Sequence, residues 1–146
     1  MIDNGVFPVN NIKFRIGTGG ADSLVADMAV VKDMETFGIS FDNGIEEWNP
    51  LDQDGWVRRL MTAKSMTVTL SGKRHYGDPG NDYVAGLAYK NGQAATSILS
   101  VEFPNGGTLS MNCVVNVTAS DGGDAADVAA LEFECLSDGK PSYFMN

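Results

Sequence analysis

At 146 residues, with 43% apolar and 20% charged side chains, the chain has the composition of one ordinary globular domain, neither disordered nor fibrous. Ten basic residues against nineteen acidic ones leave a net charge of −9, which argues against a protein that grips nucleic acid by neutralising phosphates with Lys and Arg. No apolar run approaches the ~18 residues of a membrane span. The opening Met1-Ile2-Asp3-Asn4-Gly5 lacks the positive region and apolar stretch of a secretory signal, so synthesis in a cytoplasm, with no membrane partner, is expected. The acidity is uneven. From Asn91 onward one base, Lys140, stands against seven acids. Such a surface repels DNA without preventing its passage, although solubility alone would also account for it.

In chain order, Val9 to Ile16 alternates apolar and polar residues from Ile12 onward, the period of a half-buried strand, and the Gly-rich Gly17–Asp22 ends it. Val30-Val31 and then Thr36–Asp42 predict a second strand region, with Phe37, Ile39 and Phe41 on one face. Residues 43–63 show no clean period and contain Gly44, Pro50 and Gly55, with five acids from Asp42 to Asp54 and no base before Arg58. They are predicted to form a long loop, and loops of that length in compact domains are usually functional or disordered. Lys64–Tyr76 predicts a strand with Met66, Val68 and Leu70 facing one way and Ser65, Thr67, Thr69 and Ser71 the other; its β-branched and hydroxyl residues suit a sheet with one wet face.

The period then changes. Asp78-Pro79 predicts a helix start, with Asp as cap and Pro at the first helical position. Tyr83, Val84, Leu87 and Ala88 supply an apolar stripe, and Lys90-Asn91-Gly92 a stop. Gly86 costs this helix about 1 kcal/mol against alanine, so it needs a sheet to pack on. The remainder is β. Ala95–Phe103 is closed by the turn Pro104-Asn105-Gly106-Gly107. Thr108–Ser120 puts Leu109, Met111, Cys113, Val115 and Val117 on one face. Asp127–Leu136 does the same with Leu131, Phe133 and Cys135, leaving Glu132 and Glu134 on the other face. A three-residue loop at Asp121-Gly122-Gly123 would set Ser120 opposite Asp124. The expected fold is mainly β: seven or eight strands in a β-sandwich or partly closed barrel, one flanking helix, and a single domain over residues 1–146.

Chemistry is hard to find. With that three-residue loop, Cys113 faces Leu131 and Cys135 faces Leu109, too far apart to bridge. A seven-residue loop would bring the cysteines opposite each other. Free buried thiols are the expectation. Two cysteines and one histidine cannot close a zinc site. Asp52-Gln53-Asp54-Gly55 resembles half a calcium loop, but Met61 stands where the closing Glu belongs, so the run is read as a turn. His75 has no nucleophile-elbow or comparable motif to serve and is read as a strand-end surface residue. The carboxylates Glu132 and Glu134 read as one solvated face rather than a glycosidase pair. The Gly-rich runs lack the Lys-Ser/Thr of a phosphate loop. No catalytic residue, cofactor or metal is predicted, and the chain is expected to act by shape and assembly.

Several segments resemble a known family. Gly55-Trp56-Val57-Arg58-Arg59-Leu60-Met61-Thr62-Ala63-Lys64-Ser65, then Gly72-Lys73-Arg74 and Gly77-Asp78-Pro79-Gly80-Asn81-Asp82-Tyr83-Val84, resemble the tail tube proteins of siphophages infecting Gram-positive bacteria. So does Val101-Glu102-Phe103-Pro104-Asn105-Gly106-Gly107. The end, Asp127 to Lys140-Pro141-Ser142, is similar to the terminal strand and tail of the phage lambda tail tube domain, whose further immunoglobulin-like domain is not expected here. The resemblance spans residues 32–142. It implies a structural virion protein, assembled in the host bacterial cytoplasm. Six copies form a ring, inner sheets join into a wide barrel, and rings stack around an electronegative DNA channel. Tape measure and terminator proteins are the implied tail partners.

On that reading Trp48, Leu51 and Trp56 either pin the acidic 43–63 loop to its own core or dock it on an adjacent subunit. Docking is the reading adopted, with the loop mobile in the free subunit and Arg58 and Arg59 pairing with acids across the contact. Glu132 and Glu134 are expected to line the lumen. The competing readings are a tube or terminator ring of another phage-like particle, a monomeric β-sandwich binding module and, weakest, an enzyme.

Overall fold

A computed structural model describes residues 5–145. The sequence expectation about Met1-Ile2-Asp3-Asn4 lies outside the described residues. Eight strands form one antiparallel sheet: β1 Lys13–Gly17, β2 Met28–Ala29, β3 Met34–Trp48, β4 Arg58–Lys73, β5 Thr96–Glu102, β6 Gly107–Gly122, β7 Ala130–Ser137 and β8 Ser142–Met145. Their order is β2-β1-β5-β6-β7-β4-β3, with β8 also on β6. The helix α1, Pro79–Gly86, is the only α-helix among the described residues, and a 3-10 turn at Leu87–Tyr89 extends it.

Strand β6 organises the sheet. Its first half, Thr108–Val114, pairs with β5, and its second, Cys113–Gly122, pairs with β7. The sheet curls about this strand without closing, so that Phe14 of β1 stacks on Phe37 of β3, 5.6 Å between rings, although the two strands stand near opposite ends of the order. This is the expected mainly-β, partly closed architecture. Alternation dictates the core: Met66, Val68 and Leu70 of β4, Leu131, Phe133 and Cys135 of β7, and Leu109, Met111, Cys113 and Val115 of β6 are all buried. Val84 and Leu87 of the helical segment join them.

Three sequence expectations need correction. The stretch 43–63 is not a long loop: β3 and β4 pair without interruption of the hairpin from Phe41↔Met66 to Trp48↔Arg58, leaving only residues 49–57 as the connection. β7 pairs β4 only over Thr67–Lys73, so the rest of the hairpin projects as a two-stranded arm. Its pattern is hidden by a bulge: Gly44 opposes Ala63 but Ile45 opposes Met61, leaving Thr62 as the extra residue. On β4 the even positions share the core side down to Lys64, and odd ones, Met61 and Arg59, do so beyond it.

The β6–β7 hairpin has neither of the registers expected. Val115 pairs Cys135 and Cys113 pairs Ser137, because the chain turns later than expected: Gly122 pairs Ala130, and the two irregularities, between Val117 and Ala119 and between Ser120 and Gly122, move the ladder only partly back. Cys113 and Cys135 are therefore diagonal neighbours, buried and free. The Cys135 thiol is pushed well up, first by its hydrogen bond with Cys113 and then by burial, so it stays protonated.

The predicted apolar stripe of the helix is also altered. Val84 and Leu87 are buried, but Ala85 takes the buried place expected for Ala88. The tighter 3-10 winding after Gly86 rotates the next residues out of the α-helical stripe.

Candidate assembly surfaces

Three features of the surface follow from this topology. The first is the arm. Leu51 is fully exposed, Trp56 is 76% and Trp48 42% exposed, so the three apolar residues do not anchor the tip in the core. Arg58 lies over the Trp48 ring at 5.7 Å, and Arg59 Nε pairs with Glu47 Oε1 at 3.3 Å across the hairpin. Both arginines thus have partners on their own arm, each at a paired position of the ladder. Sequence reasoning missed four more exposed apolar residues of the arm, Phe41, Ile45, Leu60 and Met61. Ile45, Leu60 and Met61 stand as apolar residues in a stretch without a periodic face, whereas Phe41 was read as part of the Phe37, Ile39 and Phe41 strand face.

The second feature is the outer face of β6, β7, β4 and β3. Ser40, Thr67 and Leu136 align across it, as do Gly38, Thr69, Glu134 and Asn116, and Thr36, Ser71 and Glu132. Asn116 Nδ2 donates to Glu134 Oε1 at 2.9 Å. Lys73, at the end of the face, is already paired with Glu35 at 3.2 Å. The face is therefore rich in hydroxyls and weakly acidic, with Glu132 exposed and Glu134 half-buried.

The third feature is a pair of free strand edges. Among the described residues β3 pairs with β4 alone, so its other edge is unpaired over Met34–Trp48. Among the described residues β6 has no strand partner beyond Val114 on the side where β5 stops, so Val115–Gly122 is unpaired there on that side. Long open edges invite pairing with another chain.

A polar junction fixes these surfaces relative to one another, and it is built from the Gly-Lys-Arg and Gly-Asp-Pro-Gly-Asn-Asp segments. The Asp78 carboxylate caps α1 by accepting from Asn81 N–H and also accepts from Lys32 N–H, each at 3.0 Å. Asn81, wholly buried, donates from Nδ2 to the Lys32 and Lys73 carbonyls and accepts on Oδ1 from Arg74 and from His75 N–H. Arg74 donates to Asp82 at 2.8 Å and lies 4.4 Å over the Tyr76 ring. The Tyr76 hydroxyl donates to Asp121 at 2.7 Å, at the end of β6. His75, the residue read as a surface histidine, meets Asp33 from a half-exposed position. Gly80 belongs to this junction because an added Cβ would lie 2.3 Å from the Val30 carbonyl oxygen.

The hydrogen bond from Arg74 holds Asp82 below the ordinary aspartate range, and the one from Tyr76 does the same for Asp121. A depressed carboxylate stabilises the fold above its unfolded pKa, and that contribution disappears as pH falls through the lower folded value. Both groups are exposed, so the effect is small. Thermal melts between about pH 5 and about pH 2 should show a shallower acid loss for Arg74→Gln than for the parent; an unchanged slope would separate these carboxylates from Arg74.

Among the described residues there is no cluster of metal-ligating side chains and no helix long and apolar enough to cross a membrane. No family model matches the chain, and no curated protein matches it. Solved structures do. A chain from the tail of an empty gene transfer agent particle, determined with C6 symmetry, matches with a TM-score of 0.75 at 15% identity, over 95% of this chain and 99% of that one. A chain from the virion of a native gene transfer agent particle matches at 0.71 and 16% identity, over 95% and 99% of the two chains. A third, from the sheath/tube terminator of an extracellular contractile injection system, matches at 0.60 and 16% identity, over 97% and 98%. The fold is therefore the one found in the tails and tube assemblies of phage-like particles.

Proposed function

We propose that this chain is the tail tube subunit of a bacteriophage of the siphophage type, forming six-membered rings that stack around a channel for DNA. The observation that carries the proposal is the pair of open edges at the two ends of the β6-β7-β4-β3 sheet. Three antiparallel steps separate β6 from β3, so the two run in opposite directions. Rotation about a ring axis would set β3 of one subunit against the Val115–Gly122 edge of the next as an antiparallel pair. Ring closure would satisfy both edges and leave no site for runaway pairing.

The hydroxyl-rich face with Glu132 and Glu134 then lines the channel, where negative charge keeps DNA from adhering. The arm, with Trp48, Leu51, Trp56, Arg58 and Arg59, contacts a subunit of the adjacent ring. Non-enzymatic assembly, residence in the virion after assembly in the host cytoplasm, and tape measure and terminator partners complete the proposal. The likeness to C6-symmetric gene transfer agent tails supports it. The likeness to a sheath/tube terminator favours a second reading, a terminator that stops at single rings. Negative-stain microscopy of the purified chain across a concentration series distinguishes them. Stacked rings with a central hole are expected; single rings would favour the terminator, and a strictly monomeric chain would contradict both.

A further inference from the structure

We infer that the arm tip of one copy seats in an apolar groove at the base of the arm of a copy in the adjacent ring, an inference that rests on the tube reading and identifies the acceptor of its arm. The groove encloses about 860 Å³ between the arm base and the C-terminal segment. Phe41 of β3, Met66 of β4, Phe103 and Tyr143 of β8 form its walls, the last two with ring centroids 6.0 Å apart. Phe41 and Tyr143 are more than half exposed, so the groove presents apolar surface to water. That is unfavourable unless something covers it.

Charge and reach identify the occupant. Among the described residues the only charged side chains lining the groove are Lys64 and Lys140, and Lys140 is the one base of the C-terminal third of the chain. The arm tip, residues 49–57, carries Asp52 and Asp54, no base, and the exposed Leu51 and Trp56. Apolar groups flanked by acids thus face an apolar groove flanked by bases, the arrangement that fixes register between partners.

A chain cannot fill its own groove. The hairpin stays paired, with one bulge at Thr62, from Phe41↔Met66 at the groove to Trp48↔Arg58 at the tip, which holds the tip roughly 20 Å away at about 3.3 Å per residue. The occupant is therefore a second copy. An axial stack supplies it in the right direction, because every arm base then meets an arriving tip, and the repeat is open-ended.

The test has two parts. With Trp48→Phe, Trp56 is the only tryptophan left of the chain's two. On polymerisation its emission should shift to the blue and its quenching by acrylamide should fall. Separately, K64E/K140E and D52K/D54N should each raise the critical concentration for tube growth about tenfold, while all four changes in one chain return it toward the parent value. All four residues are exposed, so folding is not at stake, and Asp54→Asn respects the left-handed backbone there, φ 52°.

Tubes in which Trp56 stays as quenchable as in the monomer would overturn the seat while leaving the tube reading intact. So would failure of the fourfold charge exchange to restore growth, or shielding of Trp56 only when another tail protein is added. A parent chain that forms neither rings nor tubes would instead remove the tube reading itself, and this inference with it.

Discussion

Replacing Asn81 by alanine should destabilise the fold by about 3 kcal/mol or more, the range reached when a buried hydrogen-bond network loses its centre. The side chain is wholly buried and makes contacts in four directions: Nδ2 to the Lys32 and Lys73 carbonyls, Oδ1 from Arg74 and from His75 N–H. Removing it strands two backbone acceptors and a backbone donor at the meeting point of α1, the end of β4 and the chain entering β3. Each buried unsatisfied group costs about 1–3 kcal/mol. Arg74 would suffer less, since its Nη1 also reaches Asp82. Asn81→Asp keeps the acceptor for Arg74 and His75 N–H but sets a carboxylate oxygen against the Lys32 and Lys73 carbonyls, so it should destabilise at least as much as alanine if those contacts matter. Denaturant unfolding of the monomer measures both. A loss below about 1 kcal/mol for Asn81→Ala would show that the network is replaced by water or is not closed.

Reversing the charge of the proposed channel wall, with E132K/E134K, should change the relation to DNA without preventing assembly. Both residues lie on the solvent face of β7, away from Leu131, Phe133 and Cys135, so the core is untouched. The change moves each subunit by four charges. Summed over stacked rings, this converts a repelling wall into one whose phosphate contacts release counterions, and retention should fall steeply with salt. Tubes assembled in the presence of short linear duplexes should then retain them at low salt, where parent tubes retain none. Closed circular plasmid, which cannot thread a channel, should remain unbound. Binding of the plasmid by the variant tubes would place Glu132 and Glu134 on the outside of the tube.

How much was legible depended on whether a segment has one buried face. Ser65–Ser71, Thr108–Asn116 and Leu131–Cys135 announce themselves because every second side chain must enter the core, and those residues are the buried ones. The arm has no such face: both of its sides meet solvent beyond Met66, and the extra residue Thr62 breaks what period remains. β8 was missed for the same reason, since all four of its residues are exposed.

The β6–β7 register differed because the turn lies between Gly122 and Ala130, and no alternation of apolar residues records that position or the two irregularities beyond it. The Asp78 cap was readable because it is local chemistry. Asn81 was quoted as part of a motif, but its contacts with Lys32 and Lys73 are tertiary and carry no local pattern. Of the surfaces, Trp48, Leu51 and Trp56 were visible as large apolar residues among acids. The open edges of β3 and β6 were not, because an edge is a property of strand order rather than of any residue.

Helical reconstruction of assembled tubes tests the central claim most directly. The expected result is β3 of each subunit hydrogen-bonded along the Val115–Gly122 edge of its neighbour's β6, with Glu132 and Glu134 pointing into a central channel. Rings whose subunits meet through other surfaces, leaving both edges in solvent and these carboxylates on the exterior, would contradict it.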